Sequence, residues 1–225
     1  MSWVGVDAHG LPSYAFHGEH GADRQLPLTA LACVPAEARA FHVGSYAMVV
    51  QPVGATQRAL IEREHRRSLI SYDPNVRLSV EPSVAAWRET LEWMLPRTHL
   101  LKASQEDLEA LHPGTDPATL AAQWLAQGVA LVVVTRGSEG AIAWTASQAA
   151  VVPAQPATLV DTVGAGDTFQ SALLAWLAEH GALSAHALRG LSAASLEDAL
   201  AFASRAAALT CSRRGADLPP RHELS

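Results

Sequence analysis

Asp161-Thr162-Val163-Gly164-Ala165-Gly166-Asp167-Thr168-Phe169-Gln170-Ser171-Ala172-Leu173-Leu174 decides how the rest of the chain is read. It sets two glycines at the mouth of a segment with helical patterning, and a carboxylate in the first turn. The first N–H groups of a helix lack intrahelical partners and carry a partial positive charge. Such a mouth holds anions, phosphate above all. Gly164 and Gly166 can take backbone angles that other residues avoid, and they admit a phosphate to the main chain with no Cβ in the way. Asp167 would be repelled by a phosphate seated there unless it served the chemistry. A carboxylate beside a phosphate cradle has the character of a base for an attacking hydroxyl. A tight turn with an Asp favouring the helix dipole is the plainer alternative. The pattern over all fourteen residues weighs against it.

Outward from this motif, short apolar runs alternate with amphipathic stretches. Strands are predicted at Phe41–Val43, Ser68–Tyr72, His99–Leu101 and Ala130–Thr135, then at Ala141–Thr145 and Ala149–Val152. Helices are predicted at Thr56–Arg67, Pro82–Leu95, Gln105–Leu111, Pro117–Gln127, Ala165–His180 and Ser195–Cys211. Wholly apolar strands between amphipathic helices predict an α/β fold whose parallel sheet is covered on both faces. Ligands in such sheets sit at the carboxyl ends of the strands. Asp73, Ser104 and Arg136 each follow a strand and so belong to that edge. Nearer the N-terminus, Trp3–Val6 and Ser13–Phe16 flank the polar turn Asp7–Gly10, which predicts a hairpin.

With these residues in place, the chain resembles the PfkB, or ribokinase-like, carbohydrate kinases. Asp161 to Leu174 is similar to the family's C-terminal signature, and Thr135-Arg136-Gly137-Ser138-Glu139-Gly140 to its Thr-x-Gly-x-x-Gly nucleotide loop. Three further stretches resemble the fructokinase branch: Phe41–Ser45, Asp73-Pro74-Asn75-Val76-Arg77, and the tail from Thr210 to Ala216. The resemblance implies a three-layer α/β/α sandwich with a mostly parallel sheet and a small β lid. Residues 1–30 would form the lid hairpin and its connection, and 31–225 the ATP-binding and catalytic domain. It implies transfer of the ATP γ-phosphoryl group to a hydroxyl of fructose or a similar sugar, with Mg²⁺ and a stimulating K⁺. Asp167 would be the base and Gly164, Ala165 and Gly166 the anion hole. Thr135, Gly137 and Gly140 would lie along the nucleotide, Gly215 would border the adenine or cation region, and Arg77 would face the phosphates or the sugar. A homodimer through the lid is also implied.

Two departures from the family pattern carry expectations of their own. The family's Asn-x-x-Glu motif, whose Glu organises Mg²⁺ and its waters, falls on Ser104 and Asp107, with Glu106 beside them. Ser-x-x-Asp before a helix also reads as a capping pair. The two roles are compatible, since Mg²⁺ is commonly reached through its waters. The second departure is at the start. The family's opening strand with a sugar-binding Asp, and its Gly-Gly-x-x-x-Asn segment, have no counterpart here. That leaves an unpaired neighbour edge expected beside Ser68–Tyr72. Kinases of 2-keto-3-deoxygluconate, ribose or a nucleoside share the ATP half and stay open as alternatives. So does a nucleotide-binding fragment without catalysis.

Bulk properties agree with this class. The 225 residues suffice for one sizeable domain, and 49% of them are apolar. A net charge of −6 argues against nucleic acid or an anionic membrane as partner. Cys33 and Cys211 stand alone in the chain, which predicts small buried hydrophobes in a reducing compartment. With no visible signal peptide, the chain is expected to be soluble and cytoplasmic. His17 and His20 are read as solvent-exposed and not as a metal pair. The basic run Arg63, His65, Arg66 and Arg67 is read as stabilising a helix C-terminus, and Trp87, Trp93, Trp124 and Trp176 as packing residues.

Overall fold

The computed structural model describes residues 2–6 and 12–16 as strand backbone and residues 21–224 in full. Strands β1 (Ser2–Val6) and β2 (Pro12–Phe16) pair antiparallel, Ser2 opposite Phe16, as the hairpin reading predicts. The turn between them, His17 and His20 lie outside the described residues.

A second sheet has six strands in chain order: β3 (Ala40–Gly44), β4 (Leu69–Asp73), β5 (Leu100–Ser104), β6 (Leu131–Thr135), β7 (Ala141–Trp144) and β8 (Ala149–Val152). β3 to β6 are parallel, while β7 and β8 fold back antiparallel. The register aligns Gly44 with Asp73 and Ser104 with Thr135, so four strand ends meet at one edge.

Strand side chains alternate between faces, and both faces are covered. Ile70, Tyr72, Leu101, Ala103, Val132 and Val134 point into one core, shared with α1 (Val53–Glu64), α2 (Val84–Met94), α3 (Gln105–Leu111) and α4 (Pro117–Ala126). Leu69, Leu100, Leu131 and Val133 point into the other. There they meet α5 (Ala165–Glu179), α6 (Ala185–Arg189) and α7 (Ala193–Cys211). Burial on both faces is why these strands read as unbroken apolar runs. The result is the three-layer α/β/α sandwich that the sequence predicts.

Some expectations need correction. Ser68–Tyr72 does not border an open edge, because β4 is paired on both sides; among the described residues the open edges belong to β3 and β8. Cys33 is exposed at the end of a 3₁₀ turn, Leu28–Cys33, and Cys211 is only half-buried, so neither is a core hydrophobe. Trp87, Trp124 and Trp176 are core residues as read. Trp93 is half-buried, with the Arg58 and Arg97 guanidinium groups 5.0 Å and 4.2 Å from its ring centre. The basic end of α1 does more than offset a helix dipole. Arg63 and Arg67 both pair with the buried Glu64, and they donate to the Leu31 and Ala36 carbonyls at 2.8 Å and 2.7 Å. They thereby fasten the preceding connection to the helix.

Candidate active site

The loop before α5 is folded by one carboxylate. The Asp161 Oδ1 accepts the Val163 N–H at 3.0 Å and its Oδ2 accepts the Gly215 N–H at 2.8 Å. These donors, the Val163 N–H first, hold its pKa below the ordinary Asp value. The same contacts bring the tail loop against the glycine loop. Gly164 then turns the chain into α5 with φ +80°, a left-handed conformation. A Cβ there would stand 2.7 Å from the Ala216 Cβ, so both conformation and space require glycine. Further along, Thr168 Oγ1 and Thr210 Oγ1 share a buried hydrogen bond of 3.0 Å that joins α5 to α7.

The helix mouth offers donors. The Ala165 N–H turns back to the Thr162 carbonyl at 3.2 Å. Among the described residues, the N–H groups of Gly164, Gly166 and Asp167 meet no backbone acceptor. Gly166 and Asp167 are both exposed, and Gly164 is half-buried.

Beneath the mouth lies a polar layer set in the sheet. Ser71 on β4 and Lys102 on β5 point toward α5, as Leu69 and Leu100 do two residues before them. Gln170, one turn beyond Asp167, donates its Nε2 to Ser71 Oγ at 2.7 Å, and Ser71 Oγ lies 3.1 Å from Nδ1 of His42 on β3. Lost hydration and then the Lys102 charge push the His42 pKa down, while the Asp167 charge works the other way. Lys102 Nζ donates to Asp73 Oδ2 at 2.7 Å, with both side chains 4% exposed. Burial pushes the Asp73 carboxyl above its ordinary range, with the Lys102 charge pulling against it. Asp73 Oδ1 and Gln170 Oε1 are buried without a partner.

The other predicted residues surround this core at varied depth. Ser104 and Asp107 form a full capping box on α3: Ser104 Oγ accepts the Asp107 N–H at 3.0 Å, and Asp107 Oδ2 accepts the Ser104 N–H at 2.9 Å. Asp107 Oδ1 accepts the Val76 N–H at 2.7 Å, tying the loop after β4 to α3. Glu106 is exposed in the first turn of α3. Arg77 is half-buried in the loop after β4, its Nη1 donating to the Val76 carbonyl at 2.9 Å. Thr135 ends β6, and the turn Gly137–Glu139 follows, closed by the Arg136 N–H on the Gly140 carbonyl at 2.8 Å. Gly215 is held by Asp161 as described.

Sequence reasoning assigned no role to His42, Ser71, Lys102 or Gln170. Two signals were available. Lys102 interrupts the apolar run Leu100-Leu101-Lys102-Ala103, and Gln170 falls three residues after Asp167 on an otherwise apolar helix face. Among the described residues no group of three or more His, Cys, Asp or Glu side chains could cage a metal ion. No described helix is long and apolar enough to cross a membrane.

A layered α/β sandwich with amides that meet no backbone acceptor and a carboxylate at a helix mouth suits an anion such as phosphate. The comparisons agree. Residues 6–223 match the profile of the pfkB family carbohydrate kinases, and the chain belongs to that family. It is 37% identical over 169 residues to a fructokinase of Rhizobium leguminosarum bv. trifolii, covering 75% of this chain and 52% of that protein. It is 32% identical over 225 residues to a fructokinase of Klebsiella pneumoniae, covering 98% of this chain and 71% of that one. Among solved structures, a Vibrio cholerae O395 fructokinase bound to fructose, ADP and calcium superposes with a TM-score of 0.80 at 28% identity. The match covers 99% of this chain and 71% of that chain. A variant of the same enzyme with fructose, ADP and potassium gives 0.82, at the same identity and coverage. The chain thus spans between 52% and 71% of the length of these relatives.

Proposed function

We propose that this chain is a fructokinase-like sugar kinase, which moves the γ-phosphoryl group of ATP to a hydroxyl of fructose or a similar sugar. One observation carries the reading: an exposed carboxylate, Asp167, in the first turn of a helix whose Gly164, Gly166 and Asp167 amides are unspent. In this reading the amides of the Gly164–Gly166 turn, Ala165 included, receive the negative charge that builds on the transferred group. One such donor is worth about 3 to 4 kcal/mol in a transition state. Asp167 takes the hydroxyl proton as the oxygen attacks, a contribution of about 10²- to 10⁴-fold. The new O–P bond forms as the bond to the ADP oxygen breaks, so the proton goes to Asp167 and the electron pair to ADP.

Thr135, Gly137 and Gly140 border the nucleotide, Gly215 its adenine or a K⁺ ion, and Arg77 the phosphates or sugar. The acidic residues at α3 fit Mg²⁺ held through its waters and not by a protein cage. The Asp107 oxygens already accept N–H donors, while Glu106 is open to solvent. Bound there, the ion would neutralise phosphate charge. The reading also takes the protein as cytoplasmic and the β1–β2 hairpin as the contact of a homodimer.

Relatives named as fructokinases favour fructose over the alternative sugars. The test is ADP release measured across a panel of fructose, ribose, 2-keto-3-deoxygluconate and nucleosides, with ATP and Mg²⁺. Fructose-dependent release is expected. ATP binding with no release on any sugar would replace the kinase reading with that of a non-catalytic nucleotide binder.

A further inference from the structure

Gly166 has no evident backbone need to be glycine. Its φ is not positive, and it sits as the second residue of α5, where glycine costs about 1 kcal/mol against Ala. The space it leaves is what distinguishes it. A Cβ on Gly166 would stand 3.3 Å from Lys102 Nζ, the sole contact within 4 Å. The missing side chain therefore leaves the ammonium directly beneath the helix mouth. Burying a Lys–Asp pair is no route to stability, since the desolvation cost rivals the attraction. This pair is also incompletely satisfied: Asp73 holds the ammonium through Oδ2 alone, and its buried Oδ1 has no partner.

We propose that Lys102 is the positive charge under the anion hole. Gly166 opens the way to it, Asp73 holds it in place, and it selects a nucleoside triphosphate over the diphosphate. The inference rests on the kinase reading and deepens it. An ammonium beside unpaired amides draws the terminal phosphate, which ADP lacks. It also keeps that charge in place while the phosphoryl group moves. Asp73 acts only through Lys102 and is a positioning residue.

The test is calorimetric titration with ATP and with ADP, both with Mg²⁺, on the wild type, Lys102→Met and Gly166→Ala. The double variant Lys102→Met/Asp73→Asn removes both buried charges together, so the measurement stands even where Lys102→Met does not fold. The wild type should bind ATP more tightly than ADP. The Lys102 variants should lose about tenfold or more in ATP affinity while ADP affinity holds within about twofold. Gly166→Ala should move in the same direction, because its methyl group meets the ammonium. Equal losses for both nucleotides, or an unchanged ratio, would overturn the role of Lys102 and leave the kinase reading standing. A wild type that binds neither nucleotide would overturn both.

Discussion

At the scale of single residues, the glycine loop and Asp167 were legible because their meaning is local. A helix mouth, two glycines and a carboxylate occupy adjacent positions, and helix geometry alone places them together. Lys102 and Asp73 were not, because what joins them is the register of two strands that are 29 residues apart in sequence. No local pattern carries that register. The polar chain His42–Ser71–Gln170 has the same character, crossing from β3 through β4 to α5. Gly164 gives the sharpest test at this scale. Gly164→Ala adds a side chain at φ +80° and drives it into Ala216. The left-handed conformation alone should cost about 1 to 2 kcal/mol, and the clash adds to it. Urea unfolding should show a lower midpoint, and nucleotide affinity should fall with it. A midpoint equal to the wild type would mean that the loop yields without cost.

At the scale of elements, apolar patterning located each strand of the large sheet and each long helix, with ends displaced by a few residues. The displacement has physical causes. β5 runs on to Ser104 because the capping box starts α3 there, and α1 begins at Val53, directly after Pro52. The junction of β4 and β5 has a pH-sensitive clasp that patterning does not reveal. The Ile70 N–H donates to Nδ1 of His99 at 2.9 Å, and the His99 N–H donates to the Ile70 carbonyl at 2.9 Å. Nδ1 can accept only when it carries no proton, so the clasp needs neutral His99. Lost hydration, then the Arg189 and His65 charges, hold the His99 pKa below 6.5. His42 and His112 are lowered as well, each chiefly by lost hydration. Below pH 6.5 the unfolded chain therefore binds more protons than the folded one, and stability falls as pH falls. The penalty begins near the unfolded value and is complete below the folded ones. Thermal melts from pH 7.5 to 5 should show a falling Tm. His99→Asn, whose Oδ1 can still accept the Ile70 N–H, should flatten the fall. The same slope in the variant and the wild type would remove His99 as a cause.

At the scale of the whole molecule, the layered fold follows from the alternation of buried strands and amphipathic helices, and the family match over residues 6–223 agrees with it. Which strand would stand at the edge was not legible. Patterning places β3 along the chain but does not say which strand it pairs with, and its polar His42 breaks the apolar run. The site draws on most of the chain. β3, β4, β5 and β6 end at one edge, α5 brings its mouth over that edge, and the tail closes on it through Asp161 and Gly215. The chemistry of Asp167 therefore depends on the assembled molecule. The most direct measurement is a single-turnover experiment with γ-labelled ATP, Mg²⁺ and fructose, on the wild type and on Asp167→Asn. The account requires label on the sugar with the wild type, and loss of transfer by about 10²-fold or more in the variant at unchanged ATP affinity. Transfer by Asp167→Asn at the wild-type rate would contradict it.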